Sequence, residues 1–115
     1  MRQFELKRTL FGADITAQVT VLDEGVQASI FGGTRPHIGA VSVVNMANEI
    51  FTTQFPGHCD GVVSRAWAKA LMEAGYNPAV VTAGIHYDQI GKADICTVLE
   101  LNDGLIRSAL EKIPD

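Results

Sequence analysis

The hydrophobic period of this chain changes once, at Asp60, and that change constrains the fold more than any other feature. Ahead of it, "QFELKRTLF" and "DITAQVTVLDEG" place apolar Phe4 and Leu6, then Ile15, Ala17, Val19 and Val21, at every second position, the pattern of half-buried strands. Gly12 and the Asp23-Glu24-Gly25 triplet read as turns, and "VQASIF" follows closely enough to form a hairpin with the second strand. The run "IGAVSVVNMA" is more apolar and reads as a fourth strand buried on most of both faces, so the four together predict an antiparallel meander. Beyond Asp60, Val62, Val63, Ala66, Trp67, Ala70 and Leu71 fall at helical spacing, with Ser64, Arg65, Lys69 and Glu73 opposite. Gly75 and Pro78 mark the end of that helix. "AVVTAGIHY" predicts a fifth strand. "KADICTVLELNDGLIRSALEKI" predicts a second helix with Ile95, Val98, Leu99, Leu105, Ile106, Ala109 and Leu110 on one stripe. Gly104 costs that helix about 1 kcal/mol against alanine and marks a point of bending or breaking. The order predicts an α+β domain: a mainly antiparallel sheet, made of a four-stranded meander plus a fifth strand, with two helices.

At 115 residues the chain is expected to form a single domain, residues 1–115, with a core that needs no metal or disulfide. Hydrophobic residues make up 47% and charged residues 19%, so part of the surface is expected to be covered by a partner, which points to oligomerisation. Nine basic against thirteen acidic residues give a net charge of −4, with the basic ones scattered, which argues against nucleic-acid binding. "MRQFELKRTLF" lacks the apolar core of a signal peptide and no run approaches membrane-spanning length, so a soluble, cytoplasmic protein is expected. Cys59 and Cys96 show no zinc or redox spacing and read as reduced thiols.

Functional side chains concentrate in three glycine-bounded connections: "GGTRPHIG", "FPGHCDG" and "GIHYDQ". In the first, Gly32 and Gly33 allow positive φ and close approach to a ligand, Pro36 stiffens the turn, and Arg35 offers a planar fork suited to phosphate or carboxylate, with His37 beside it. A rigid loop whose arginine pairs with a local carboxylate is the alternative. In the second, Asp60 is the expected N-cap of a helix whose free N–H groups would favour an anion, within reach of Arg35 or His58; an ordinary capped helix is the alternative. In the third, His86 and Asp88 follow a buried strand, as an oriented base, a ligand, or a histidine that merely bonds to backbone.

Three histidines, His37, His58 and His86, with Cys59, Asp60 or Asp88, would suffice for zinc, but none lies at a metal-like short spacing. Cys59 beside His58 at a helix start is the sole candidate nucleophile, although adjacent residues rarely point at one another productively. No G-x-S-x-G elbow, P-loop or dinucleotide fingerprint is present.

Taken in order, "GGTRPHIGAV", "PGHCDGVVSRAWAKAL" and "AGIHYDQIGKADI" resemble the prenylated-flavin chaperone-like family typified by the D subunit of bacterial gallate decarboxylase. That family is similar in fold to the third and fourth proteasome assembly chaperones. The resemblance spans nearly the whole chain, and its most specific element is Arg35-Pro36-His37-Ile38-Gly39. It implies a non-catalytic accessory protein that binds flavin mononucleotide (FMN) or prenylated FMN for a UbiD-like decarboxylase subunit, as a homodimer or larger homo-oligomer. It also implies cofactor-binding roles for Gly33, Arg35, His37, Gly39, His58 and His86, and none for Cys59. A phosphate site at Arg35 and the helix start near His58 would then need an apolar wall, for which Phe31, Phe51, Phe55 and Trp67 are candidates, Trp67 being the one expected in the core. Two other functions stay open, a protein-binding assembly factor without a small ligand and a small metal-dependent enzyme.

Overall fold

The alternating segments form strands, but not in the order of a simple meander. In the computed structural model, which describes residues 1–56 and 60–114, β1 (Arg2–Leu10) and β2 (Ala13–Val21) join through Phe11-Gly12, at φ 51° and 77°. Positive φ at both positions is the two-residue turn whose twist matches that of the flanking strands. β3 (Val26–Gly33) pairs antiparallel with β2. The fourth strand is shorter than expected. β4 (Ala40–Val44) stops where the Asn45 Oδ1 accepts from the Ala47 and Glu49 N–H groups, at 3.0 and 2.9 Å, and a strand not anticipated from the sequence, β5 (Ile50–Gln54), turns back along it.

The larger difference is that β4 does not pair with β3. After α1 (Gly61–Glu73) the chain enters β6 (Ala79–His86), which inserts between them, parallel to β3 and antiparallel to β4. The sheet order is therefore β1-β2-β3-β6-β4-β5, and the expected meander ends at β3. Periodicity sets which face of a strand is buried, not which neighbour it takes. The parallel β3–β6 pair needs a long crossover, and β4, β5 and α1 supply it.

One face of the sheet carries the core. Ile15, Ala17 and Val19 of β2, Val26, Ala28 and Ile30 of β3, Ala79, Val81 and Ala83 of β6, and Val44 of β4 are buried with Trp67, Leu71, Leu105 and Ala109 of the helices. The first helix ends as expected: the Gly75 N–H reaches the Met72 carbonyl and the Tyr76 N–H the Leu71 carbonyl, the paired bonds of a Schellman motif. Its buried stripe is rotated from the expected one. Val62 is 61% exposed, whereas Ser64 is fully buried because its hydroxyl meets that of Ser42 at 2.8 Å. α2 (Lys92–Lys112) runs unbroken through Gly104. It buries Asn102, whose Oδ1 accepts from the Trp67 indole N–H at 2.7 Å, so Trp67 is core as expected. Ile95, assigned to the buried stripe by its spacing, is 47% exposed. No helix among the described residues is long and apolar enough to cross a membrane, and Cys96 is free and exposed.

Candidate functional site

Residues 34–39 arch over the C-terminal end of β6, because β3 and β4 flank that strand and the chain must cross it to pass from one to the other. The arch is sewn down by backbone bonds. The Thr34 and Arg35 N–H groups donate to the His86 carbonyl (2.7 and 3.4 Å), His37 N–H to Gly84 (3.5 Å) and Gly39 N–H to Ala83 (2.8 Å). Glycine is required for this contact. A Cβ on Gly84 would lie 1.7 Å from the His37 carbonyl oxygen, and one on Gly39 2.0 Å from Asp60 Oδ2. Gly33 adopts φ +81°, and the space beside it is taken by the His86 carbonyl. These glycines admit the protein's own backbone and carboxylate, and the N–H groups of Thr34, Arg35, His37 and Gly39 are used internally.

The arch delivers two side-chain clusters. On one side, the His86 Nε2–H donates to Asp88 Oδ1 at 2.9 Å, the Arg35 guanidinium reaches the same oxygen at 3.5 Å, and the Thr34 hydroxyl lies 3.4 Å from Asp88 Oδ2. Hydrogen bonding from His86 first, and Arg35 after it, hold the Asp88 carboxyl below its ordinary value near 3.8. On the other side, His37 Nδ1 sits 2.9 Å from the Arg35 carbonyl and Nε2 sits 3.0 Å from Asp60 Oδ2. A carbonyl can only accept, so Nδ1 carries a proton; a second proton, on Nε2 or on the carboxyl, closes the contact to Asp60.

Asp60 stands at the N-cap position of α1, as expected, but its side chain does not cap that helix. Its second oxygen accepts from the Ile85 N–H at 3.0 Å, and Gln54 of β5 supplies the cap instead, its Oε1 accepting from the Gly61 N–H at 3.0 Å. Asp60 thereby ties α1 to the arch and to β6 while buried at 6% exposure.

Between the clusters lies a cleft of about 250 Å³ lined by His37, Asp60 and His86 at its polar rim, and by Val63, Ile85, Tyr87, Ile90, Ile95, Val98 and Leu99. Tyr87 is its aromatic member. The Tyr87 hydroxyl donates to the Ala13 carbonyl at 3.0 Å, its ring meets Phe11 edge-to-face at 5.5 Å, and burial, with the Asp14 charge second, raises its phenol above the ordinary 10.0.

Of the residues singled out in the sequence, His37 and His86 line the cleft, Arg35 contacts the His86 ring, Gly39 packs beside Asp60, and Gly33 stands at the arch's start. His58 and Cys59 lie outside the described residues. None of Phe31, Phe51, Phe55 and Trp67 lines the cleft; the wall comes from the start of α2, whose Ile95, Val98 and Leu99 look like core residues from spacing alone. The sequence reading also missed that Asp60 partners His37, for which no short-range signal exists across 23 residues. Among the described residues no group of three or more His, Cys, Asp or Glu side chains is placed to hold a metal ion.

The fold, a six-stranded mixed sheet with two helices, has a proteasome assembly chaperone as a neighbour among solved structures. A crystal structure described as a novel chaperone complex for yeast 20S proteasome assembly superposes with a TM-score of 0.57, at 16% identity over 96% of this chain and 99% of that one. The sequence profile of the prenylated flavin chaperone LpdD-like domain matches residues 10–114, and the chain belongs to that family. It is similar to Protein LpdD of Lactiplantibacillus plantarum (strain ATCC BAA-793 / NCIMB 8826 / WCFS1), with 31% identity over 104 residues, 86% of this chain and 76% of that protein. Membership of a chaperone family makes it a non-catalytic accessory protein.

Proposed function

We propose that the chain binds FMN or prenylated FMN in the cleft under the arch and serves a UbiD-like decarboxylase as a flavin chaperone. The observation that carries this reading is an apolar cleft whose polar rim holds His37, Asp60 and His86, with the Arg35 guanidinium outside the lining but 3.5 Å from the His86 ring, so that apolar walls for a planar ring stand beside donors for a phosphate. The apolar side chains of β6 and α2 suit the ring, and the Arg35 guanidinium beside the His86 ring suits the phosphate. At about 250 Å³ the cleft is slightly below the range of roughly 300–1,000 Å³ that encloses most ligands. Part of the cofactor then stays outside, which suits transfer better than storage. Absorbance spectra and native mass of the untagged protein, purified from cells supplied with FMN and a flavin prenyltransferase, test the reading. The expected result is a bound chromophore with the mass of plain or prenylated FMN, weakened at least tenfold by Arg35→Ala; a colourless protein that takes up no added cofactor would overturn it.

Protein association without a ligand is favoured by a different observation. On the sheet face away from the helices, Phe51, Val43 and Val80 stand in one cross-strand row, with Phe51 58% and Val80 37% exposed. A decarboxylase subunit docking there is expected to co-purify without added flavin and to be lost on Val80→Glu; retention of the subunit by the variant would remove this reading.

A further inference from the structure

We propose that Asp88 is a built-in counter-anion, its carboxylate occupying the place that a phosphate monoester takes among Thr34, Arg35 and His86. Three donors from two segments, a hydroxyl, a guanidinium and an imidazole, converge on this one carboxylate. Only His86 makes a bond of ordinary length, 2.9 Å; Thr34 at 3.4 Å and Arg35 at 3.5 Å stand at the limit of hydrogen bonding. Two carboxylate oxygens fill such a three-sided set loosely, and a tetrahedral oxyanion, with an oxygen for each donor, fills it better.

The arrangement also lends itself to exchange. The side chains of Arg35 and Asp88 are 74% and 59% exposed, so their ion pair is worth little and parts readily. The Thr34 hydroxyl has a second acceptor, the His86 carbonyl at 3.2 Å, and keeps a hydrogen bond in either arrangement. Since the backbone N–H groups of Thr34 and Arg35 already serve the His86 carbonyl, the phosphate is held by side chains alone, and these keep a partner when it leaves. Asp88 thus lowers affinity for the bound ligand and fills its place on departure, which makes handing the ligand on cheaper than a site without an internal anion would allow.

The inference rests on the flavin reading for the identity of the ligand, and the test separates the two. Inorganic phosphate, FMN and riboflavin are titrated by calorimetry into the wild-type protein, Asp88→Asn and the double variant Arg35→Gln/Asp88→Asn, with circular dichroism confirming that each is folded. Removing one negative charge next to an anion in a solvated setting is expected to tighten phosphate and FMN about five- to tenfold in Asp88→Asn, with riboflavin unchanged. The gain is expected to shrink at high salt and to vanish in the double variant. Unchanged or weaker phosphate and FMN binding by Asp88→Asn would overturn the inference, since Asp88 would then only orient His86. FMN bound equally by wild type and Asp88→Asn leaves the flavin reading standing alone. A phosphate gain with no FMN uptake by any variant leaves the counter-anion standing and removes the flavin.

Discussion

His86 does more at this site than its place in the sequence suggests. Its carbonyl anchors the arch, its ring holds Asp88, and the ring also contacts Arg35 at 3.5 Å. Because the hydrogen bond from His86 is the largest cause of the lowered Asp88 carboxyl, an NMR titration of Asp88 is expected to show a midpoint below 3.8 that rises more in His86→Ala than in Arg35→Ala. The sign for stability follows. A carboxyl whose folded value is depressed contributes above its unfolded value, and the contribution is lost as pH falls through the folded one. Acid unfolding is therefore expected to lose part of its pH dependence below about pH 4 in Asp88→Asn. Gly84 is equally constrained. Gly84→Ala would push a methyl into the His37 carbonyl, and the arch must lift to admit it. Overpacking of this kind costs about 1–3 kcal/mol, to be read by chemical denaturation together with loss of flavin binding. The placement of Arg35, His37 and His86 in the connections at one end of the sheet was legible in the sequence, because short glycine-bounded segments with polar and charged residues interrupt the apolar pattern of the strands beside them. The partners were not. Asp60 meets His37 only because β6 brings the arch and α1 together, and residue spacing holds no record of that.

The elements divide in the same way. The first three strands and both helices could be read from period alone, since each buries one regular stripe. β5 could not. "IFTTQ" is an edge strand with four of its five residues exposed, so it has no buried stripe to display. Its contribution lies in Gln54, which caps α1, and Thr52, whose hydroxyl meets Ser42 at 2.8 Å. Gln54→Ala is expected to cost about 0.5–2 kcal/mol, the range for loss of a helix cap, and Asp60→Ala about 1–3 kcal/mol, because it leaves the partly buried Ile85 N–H without its carboxylate acceptor. Denaturant midpoints check both, and Asp60→Ala is also expected to release the His37 ring, visible as a shift of its imidazole resonances. Between the helices, the Trp67 indole N–H donates to Asn102 Oδ1 within a largely apolar interface. Trp67→Ala is expected to cost about 3–5 kcal/mol, and a loss under 1 kcal/mol would contradict the place of Trp67 in the core.

Across the molecule, the cleft belongs to both layers, with one wall from the sheet and the other from the start of α2. Ligand that fills it links the two, so flavin at a hundred times its dissociation constant is expected to add about 2.7 kcal/mol of stability and to raise the melting temperature by roughly 10 °C. Arg35→Ala is expected to remove at least about half of that shift at the same flavin concentration without altering the ligand-free melting temperature. The position of β6 has a consequence for the order of events as well. Its residues, 79–86, are made after those of five of the sheet's strands, yet they lie between β3 and β4. While the chain lengthens during synthesis, β1–β3 and β4–β5 can exist only as two separate halves of a sheet. The arch has nothing to bond to until Ala83, Gly84 and His86 slide into place beneath it. Completion of the sheet and creation of the cleft are then a single event, and a chain still emerging from the ribosome has no cleft to offer a ligand before it has finished folding.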